Sequence, residues 1–139
     1  MSNDLLRRKR ATDTTIATFK DKPFDWAKKV TCLHMAHVHM VNMGHKPPAL
    51  PCVRSALGAH RALKKRGWAS VADMLDAIGL ERVPGAAMLP GDLGVMESDE
   101  AGIGGIVICA GRLLYGWHED NPVLVSMQPV IPLTSGWRL

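Results

Sequence analysis

The sequence predicts an α+β fold, with N-terminal helices packed on a C-terminal antiparallel β-sheet, and three observations carry that prediction. Apolar residues recur at helical spacing only before Gly79. Beyond Pro84-Gly85 the pattern changes to short runs rich in β-branched residues, and glycine and proline turns of hairpin length separate those runs. Helices first and strands second is the α+β order. With 139 residues, 47% of them apolar and 22% charged, the chain has material for one packed core, and the balance excludes disordered, collagen-like and coiled-coil chains.

The expected elements run as follows. Residues 1–12 read as a flexible basic arm, and residues 13–139 as a single domain in which Asp13 or Thr14 caps a short helix through Phe19. Pro23 stops that helix, and Pro23-Phe24-Asp25-Trp26 makes an apolar corner. A longer helix begins near Thr31, its N-cap. It buries Leu33, Ala36, Met40 and Met43 at i, i+3, i+7 and i+10, and it ends before Gly44. After the proline-rich loop from Lys46 to Pro51, a helix from Cys52 to Arg66 is expected to bury Val53, Ala56, Leu57, His60 and Leu63. Another runs from Ser70 to Ile78, with Ser70 and Asp73 spaced as a capping box. Strands are expected at Leu93–Met96, Ile103–Ala110, Leu113–Trp117, Val123–Met127 and Val130–Leu133, joined by turns at Pro90-Gly91-Asp92, Gly111-Arg112 and His118–Pro122.

Charge is polarised along the chain. Residues 1–30 hold eight Lys/Arg against four Asp, positions 46–66 hold six bases and no acid, and positions 73–120 hold nine acids and two bases. The run Arg7-Arg8-Lys9-Arg10 reads as a solvated arm or a docking element for an acidic partner. Nucleic acid is not the expected partner, because the run has no interleaved aromatics and no helix-turn-helix, zinc-finger or RNA-binding signature occurs. No apolar run follows the basic residues, so a secretory signal is not expected, and no stretch approaches the ~20 apolar residues of a membrane span.

Cys32, Cys52 and Cys109 are odd in number and form no CxxC pair, so they are expected reduced, with Cys52 and Cys109 buried as small apolar groups. Cys32 differs because it starts a helix, where orphan amides and the dipole favour a thiolate and lower the thiol pKa. A nucleophilic thiol also needs a base and a group that orients the base. His34 lies about 200° round the helix from Cys32 and His37 is also displaced, so neither suits that role. His34 and His37 stand at i, i+3 without a third ligand at metal spacing, so no metal and no cofactor are expected. His45 reads as a loop residue and His60 as a packed one. Met35, Met40 and Met43 read as core fillers, and Trp26, Trp68 and Trp117 as packing anchors. Trp137 reads either way, as an anchor or as a side chain inserted into a neighbouring subunit.

The order of these parts resembles the NlpC-type papain-like cell-wall peptidases, most closely the short phage branch encoded among tail genes. The resemblance rests on Pro23, Phe24 and Trp26 before a helix-capping Cys32, on Ser55 to Ala59, on Gly91-Asp92 opening a strand, on the strand from Gly105 to Gly111, and on Trp137-Arg138; it spans about residues 13–139. It implies that Cys32 stands in the nucleophile position. The family's base histidine aligns with Gly105, beside Gly104 and Ile103, the residue before the cysteine is Thr31 where Asp is common, and the third polar position falls on Trp117 or His118. Cys32 and His118 are therefore vestigial catalytic residues in this reading, since loss of a general base costs about 10²- to 10⁴-fold in rate.

The resemblance thus leads to a pseudoenzyme: a structural virion component of a bacteriophage tail tip or baseplate, made in the host cytoplasm and docking on the tail hub and distal tail proteins. One alternative is an active cysteine peptidase or amidase that cleaves host peptidoglycan as the genome enters, with Cys32 as nucleophile and His118 as base. Another is a tail assembly chaperone absent from the finished virion.

Overall fold

Residues 2–50, 52–96, 105–117, 123–127 and 135–139 are described by the structure, a computed structural model. Four helices come first: α1 (Ser2–Phe19), α2 (Cys32–Asn42), α3 (Ala56–Lys65) and α4 (Val71–Ala77). Side-chain caps start the last three. Thr31, Ser55 and Ser70 stand in extended backbone and accept the N–H three residues on, from His34, Gly58 and Asp73. α2 ends where Gly44 takes φ +91°, a conformation that suits glycine, and His45 N–H returns to Met40 O at 2.9 Å.

Six strands follow: β1 (Glu81–Pro84), β2 (Leu93–Met96), β3 (Gly105–Cys109), β4 (Leu114–Gly116), β5 (Val125–Met127) and β6 (Ser135–Arg138). They form one sheet of order β1-β6-β2-β3-β4-β5 with every neighbouring pair antiparallel, so the architecture is α+β. The strand period of two sorts β3. Ile106 and Ile108, with Leu93 and Trp137 beside them in register, join a core shared with all four helices. Val107 and Cys109 face the other side, where Leu114, Met88, Met96 and Met127 cover them. Burial on both faces is why β3 reads as a continuous apolar run.

Several expectations are corrected. The segment read as a flexible arm over 1–12 is helical from Ser2, and no break falls at Asp13. Its buried stripe is Arg8, Ala11, Thr12, Thr15 and Phe19, at helical spacing but mostly polar, which hides it from a hydropathy pattern. The Thr12 hydroxyl is satisfied within the helix, donating to Arg8 O at 2.7 Å, whereas Thr15 Oγ1 finds its partners on α2, accepting from Asn42 Nδ2 at 2.9 Å and lying 2.8 Å from His39 Nδ1. α3 begins at Ala56, not Cys52, because Ser55 is its cap; Cys52 is exposed, and Leu57 is 52% exposed. β1 was not expected: two charged residues and a proline mark it as an edge, with only Val83 buried. β6 was not expected either. It places Trp137 at 2% exposure, with its indole N–H donating to Asp76 Oδ1 at 2.8 Å, so Trp137 anchors this chain's own core. The expected strand at Val130–Leu133 lies outside the described residues. No described helix is long and apolar enough to cross a membrane.

Candidate functional site

A short turn delivers Cys32 to the start of α2. Asp25 and Val30 exchange backbone hydrogen bonds at 2.8 and 2.9 Å, while Asp25 Oδ1 accepts from the N–H groups of Ala27 and Lys28. Lys29 sits at φ +61°, turning the chain into the fully buried Thr31. Thr31 Oγ1 accepts from His34 N–H at 3.2 Å and lies 2.7 Å from His34 Nδ1, so the cap also ties up that imidazole.

The Cys32 thiol points at backbone. Burial pushes its pKa up, and hydrogen bonding from the backbone of Ile106, Leu33 and Cys32 itself opposes that only in part. The expected lowering at a helix N-terminus is therefore overturned. Desolvation of the thiolate exceeds what the helix end supplies, and the sulfur stays protonated at neutral pH. α2 packs on β3, and the Ile106 contact puts the sulfur at the opening of that strand, next to Gly105. A Cβ built on Gly105 meets nothing within 4 Å, and by the alternation of β3 it projects with Val107 and Cys109, away from the Ile106 face that the thiol touches.

The other positions aligned with a catalytic role are accounted for individually. Trp117 donates its indole N–H to Lys22 O at 3.1 Å and packs edge-on against Phe19 and Phe24, at 5.9 and 5.7 Å. Phe24 in turn stacks edge-on with Trp26, so the Pro-Phe-x-Trp corner is an aromatic cluster around Trp117. His118, Ile103 and Gly104 lie outside the described residues. His34 is held neutral at pH 7, first by burial and then by Lys29 and His37. Among the described residues no ionisable side chain acts on the Cys32 thiol and no group of three His, Cys, Asp or Glu could hold a metal ion. On the other flank of α2, His34 and His37 border a crevice with Pro47, Leu50 and Trp68 whose free space is about 20 Å³, room for one water. Cys109 is buried, donates to Gly111 O at 3.5 Å, and has its pKa raised by burial.

The largest polar feature of the interior was not expected from sequence. Asp92 is fully buried and accepts four hydrogen bonds: Oδ1 from Arg8 Nη1 at 3.0 Å and Leu139 N at 3.1 Å, Oδ2 from Arg138 Nε and Leu89 N, both at 2.8 Å. Arg8 also donates to Pro90 O and to Leu139 O, and Arg138 to Ala87 O. Gly91, just before the carboxylate, has φ +93°, and a Cβ there would come within 3.3 Å of both Met43 and Thr12. His39 adjoins this clamp with Nε2 2.8 Å from Gly91 O and Nδ1 2.8 Å from Thr15 Oγ1. A carbonyl only accepts, so Nε2 carries the proton and the neutral ring accepts at Nδ1 from the Thr15 hydroxyl. Burial lowers the His39 pKa to about 4, helped by Arg8 and His45 and opposed by the Gly91 bond and Asp92. The basic run, Gly91-Asp92 and Trp137-Arg138 were each visible in sequence; their convergence was not.

A family model described as "Domain of unknown function (DUF6950)" matches residues 6–139. No curated protein and no solved structure matches the chain.

Proposed function

We propose that this chain, which belongs to the DUF6950 family, is a non-catalytic docking component of a phage tail tip or baseplate, built on an NlpC-like scaffold without its catalytic base. One observation carries the non-catalytic part. The Cys32 sulfur sits against Ile106 with its pKa raised, and Gly105, the position aligned with the base, has no side chain to take its proton. A protonated thiol is a poor nucleophile, and nothing among the described residues takes its proton. The phage setting, the virion location and the partners, a tail hub and distal tail proteins, rest on the resemblance of the motif order to the short tail-gene branch of that peptidase family.

The basic run enters this reading in altered form. Arg8 serves the buried clamp, Arg7 donates to Met43 O and pairs with Asp4, and Lys9 pairs with Asp13, so among the described residues Arg10 is the base of the run that enters no ion pair. Deleting residues 1–10 would remove Arg8 and confound docking with unfolding. The informative variant changes Arg10 alone.

A hydrolase is the second reading. The same backbone N–H groups around the Cys32 sulfur are the kind of donors that stabilise an oxyanion, and His118 is the base it requires. Alkylation of Cys32 against pH, with peptidoglycan turnover measured beside Cys32→Ala, separates the two. The docking reading expects no turnover and a thiol titrating above the ordinary value of about 8.5. A thiolate titrating well below neutrality with turnover lost in Cys32→Ala establishes the enzyme. Protein content of purified virions separates both from an assembly chaperone, which leaves before the particle is complete.

A further inference from the structure

We infer that the outer face of α3 is a docking surface for an acidic protein segment carrying an apolar side chain at its centre. This deepens the docking reading above, on which it rests, by naming the surface and the chemistry of the partner. α3 buries only Ala59 and Leu63, a thin anchorage for a helix of 10 residues. Its solvent side carries Leu57, Arg61, Lys64 and Lys65 at i, i+4, i+7 and i+8, with Arg54 just before the Ser55 cap, and all five are exposed. They form one stripe along the helix.

The stripe's charge is uncompensated. From 46 to 66 there are six bases and no acid. Arg66 is engaged internally, donating to Ala49 O at 3.1 Å with its guanidinium over the Trp68 ring. Among the described residues Arg54, Arg61, Lys64 and Lys65 enter no ion pair. Arg61 faces Lys64 and Lys65 at i+3 and i+4, spacings at which like charges destabilise a helix. Placing Lys64 and Lys65 in the last turn suits the helix dipole, but that explains neither Arg54 nor Arg61.

The pattern also selects among polyanions. An apolar residue ringed by cations is the arrangement of a protein interface, a central anchor with a charged rim. A single-stranded nucleic acid needs stacking aromatics, and this stripe has none. A lipid surface needs an apolar face to insert, and the apolar side of α3 is turned into the core.

The test uses the full-length protein and a fluorescent helical peptide with glutamates spaced i, i+4, i+7 around a central leucine, read by anisotropy in about 0.1 M salt. The peptide is expected to bind, with Leu57→Ser weakening it about tenfold and Arg61→Glu/Lys64→Glu abolishing it. The reversed variant should instead bind the peptide with lysines in place of glutamates. Arg54→Glu/Arg61→Glu is a second reversal that leaves the last turn untouched, and circular dichroism checks each variant's fold. No binding of the glutamate peptide, or binding insensitive to Leu57→Ser and to both reversals, overturns the inference. So does tighter binding of a DNA duplex or of phosphatidylglycerol vesicles. Virion content of the unaltered protein and Cys32 reactivity test the docking reading whatever the peptide result is. A protein retained in tails with an inert α3 face therefore removes the surface and leaves the docking reading standing, whereas absence from tails removes the docking reading itself.

Discussion

Replacing Asp92 with Asn tests whether the buried clamp holds the fold together. The carboxylate takes two donors on each oxygen, Arg8 and Leu139 on Oδ1, Arg138 and Leu89 on Oδ2. An amide has one accepting atom, so either orientation of Asn aims an NH₂ group at two existing donors. It also strips the Arg8 guanidinium, whose side chain is only 5% exposed, of its buried counter-charge, leaving it only the half-exposed Asp4 carboxylate at 3.1 Å. Removing one partner of a buried ion pair costs about 3–5 kcal/mol, a large share of the roughly 5–15 kcal/mol that stabilises a domain. Urea unfolding followed by tryptophan fluorescence reads the effect, with an unchanged m-value confirming that both states keep their compactness. Arg8→Met added to Asp92→Asn removes the orphaned charge. The double variant is therefore expected to lose less than the sum of the single losses, with a coupling of about 0.5–3 kcal/mol. A loss under about 1 kcal/mol for Asp92→Asn, the scale of a solvated surface pair, or strict additivity in the cycle, would refute the reasoning.

Three further outcomes follow from the same geometry. His39 is neutral when folded, its pKa lowered from an ordinary 6.5 to about 4, so its contribution is complete above pH 6.5 and is lost as pH falls towards 4; the loss is about 3 kcal/mol. The stability profile of His39→Gln should be flatter over that window, and parallel profiles would contradict the assignment. Gly116→Ala puts a Cβ 2.7 Å from Val107 Cγ1 and should cost about 1–3 kcal/mol, whereas Gly105→Ala enters open space and should stay within about 0.5 kcal/mol of wild type. Equal denaturation midpoints for the two would show that β4 yields. Gly105→His should leave the Cys32 alkylation rate at pH 7 unchanged, because a side chain at 105 projects with Val107 and Cys109, on the face of β3 opposite Ile106 and the thiol; a marked rise in rate would show that this end of β3 turns the position towards the sulfur.

What could be read in the sequence was what local chemistry decides. Thr31 as a cap, Cys32 as the first helical residue, Ser70 with Asp73, and Gly44 as a terminator are signals within a few residues of one another. β2 falls where it was expected after the Pro90-Gly91-Asp92 turn, and β3 and β4 lie within the predicted runs. The part of α1 before Asp13 escaped, although its end at Phe19 did not, because its inward stripe is built from Arg8, Thr12 and Thr15, polar residues that bury well only when Asp92, His39 and the helix's own carbonyls receive them. Those partners stand far away in the chain, Arg8 and Asp92 by 84 positions and Asp92 and Arg138 by 46, and no periodicity reports a pairing at such distances. The direction of the Cys32 pKa shift was misjudged for a related reason. The helix end is local and visible, whereas the desolvation that outweighs it comes from the distant β3 and its neighbours.

The clamp also bears on what a motif resemblance can carry. Gly91-Asp92 and Trp137-Arg138 are two of the features that liken this chain to a peptidase family, and both act in the fold. Asp92 gathers α1, the turn before β2 and the end of β6, while Trp137 fills the core and bonds Asp76. A third, Pro23-Phe24-x-Trp26, builds the aromatic cluster on Trp117. Features of this kind are retained for as long as the scaffold is useful, whatever becomes of the chemistry on it, because losing any of them leaves a cavity or an unpaired buried charge. A base at the opening of β3 is under no such constraint. The position that the resemblance aligns with such a base is Gly105, where a Cβ meets nothing within 4 Å, so the fold gains almost no stability from a side chain there. In a chain like this one, such motifs speak for architecture, and activity has to be read from the groups that touch the thiol itself, the backbone of Ile106, Leu33 and Cys32.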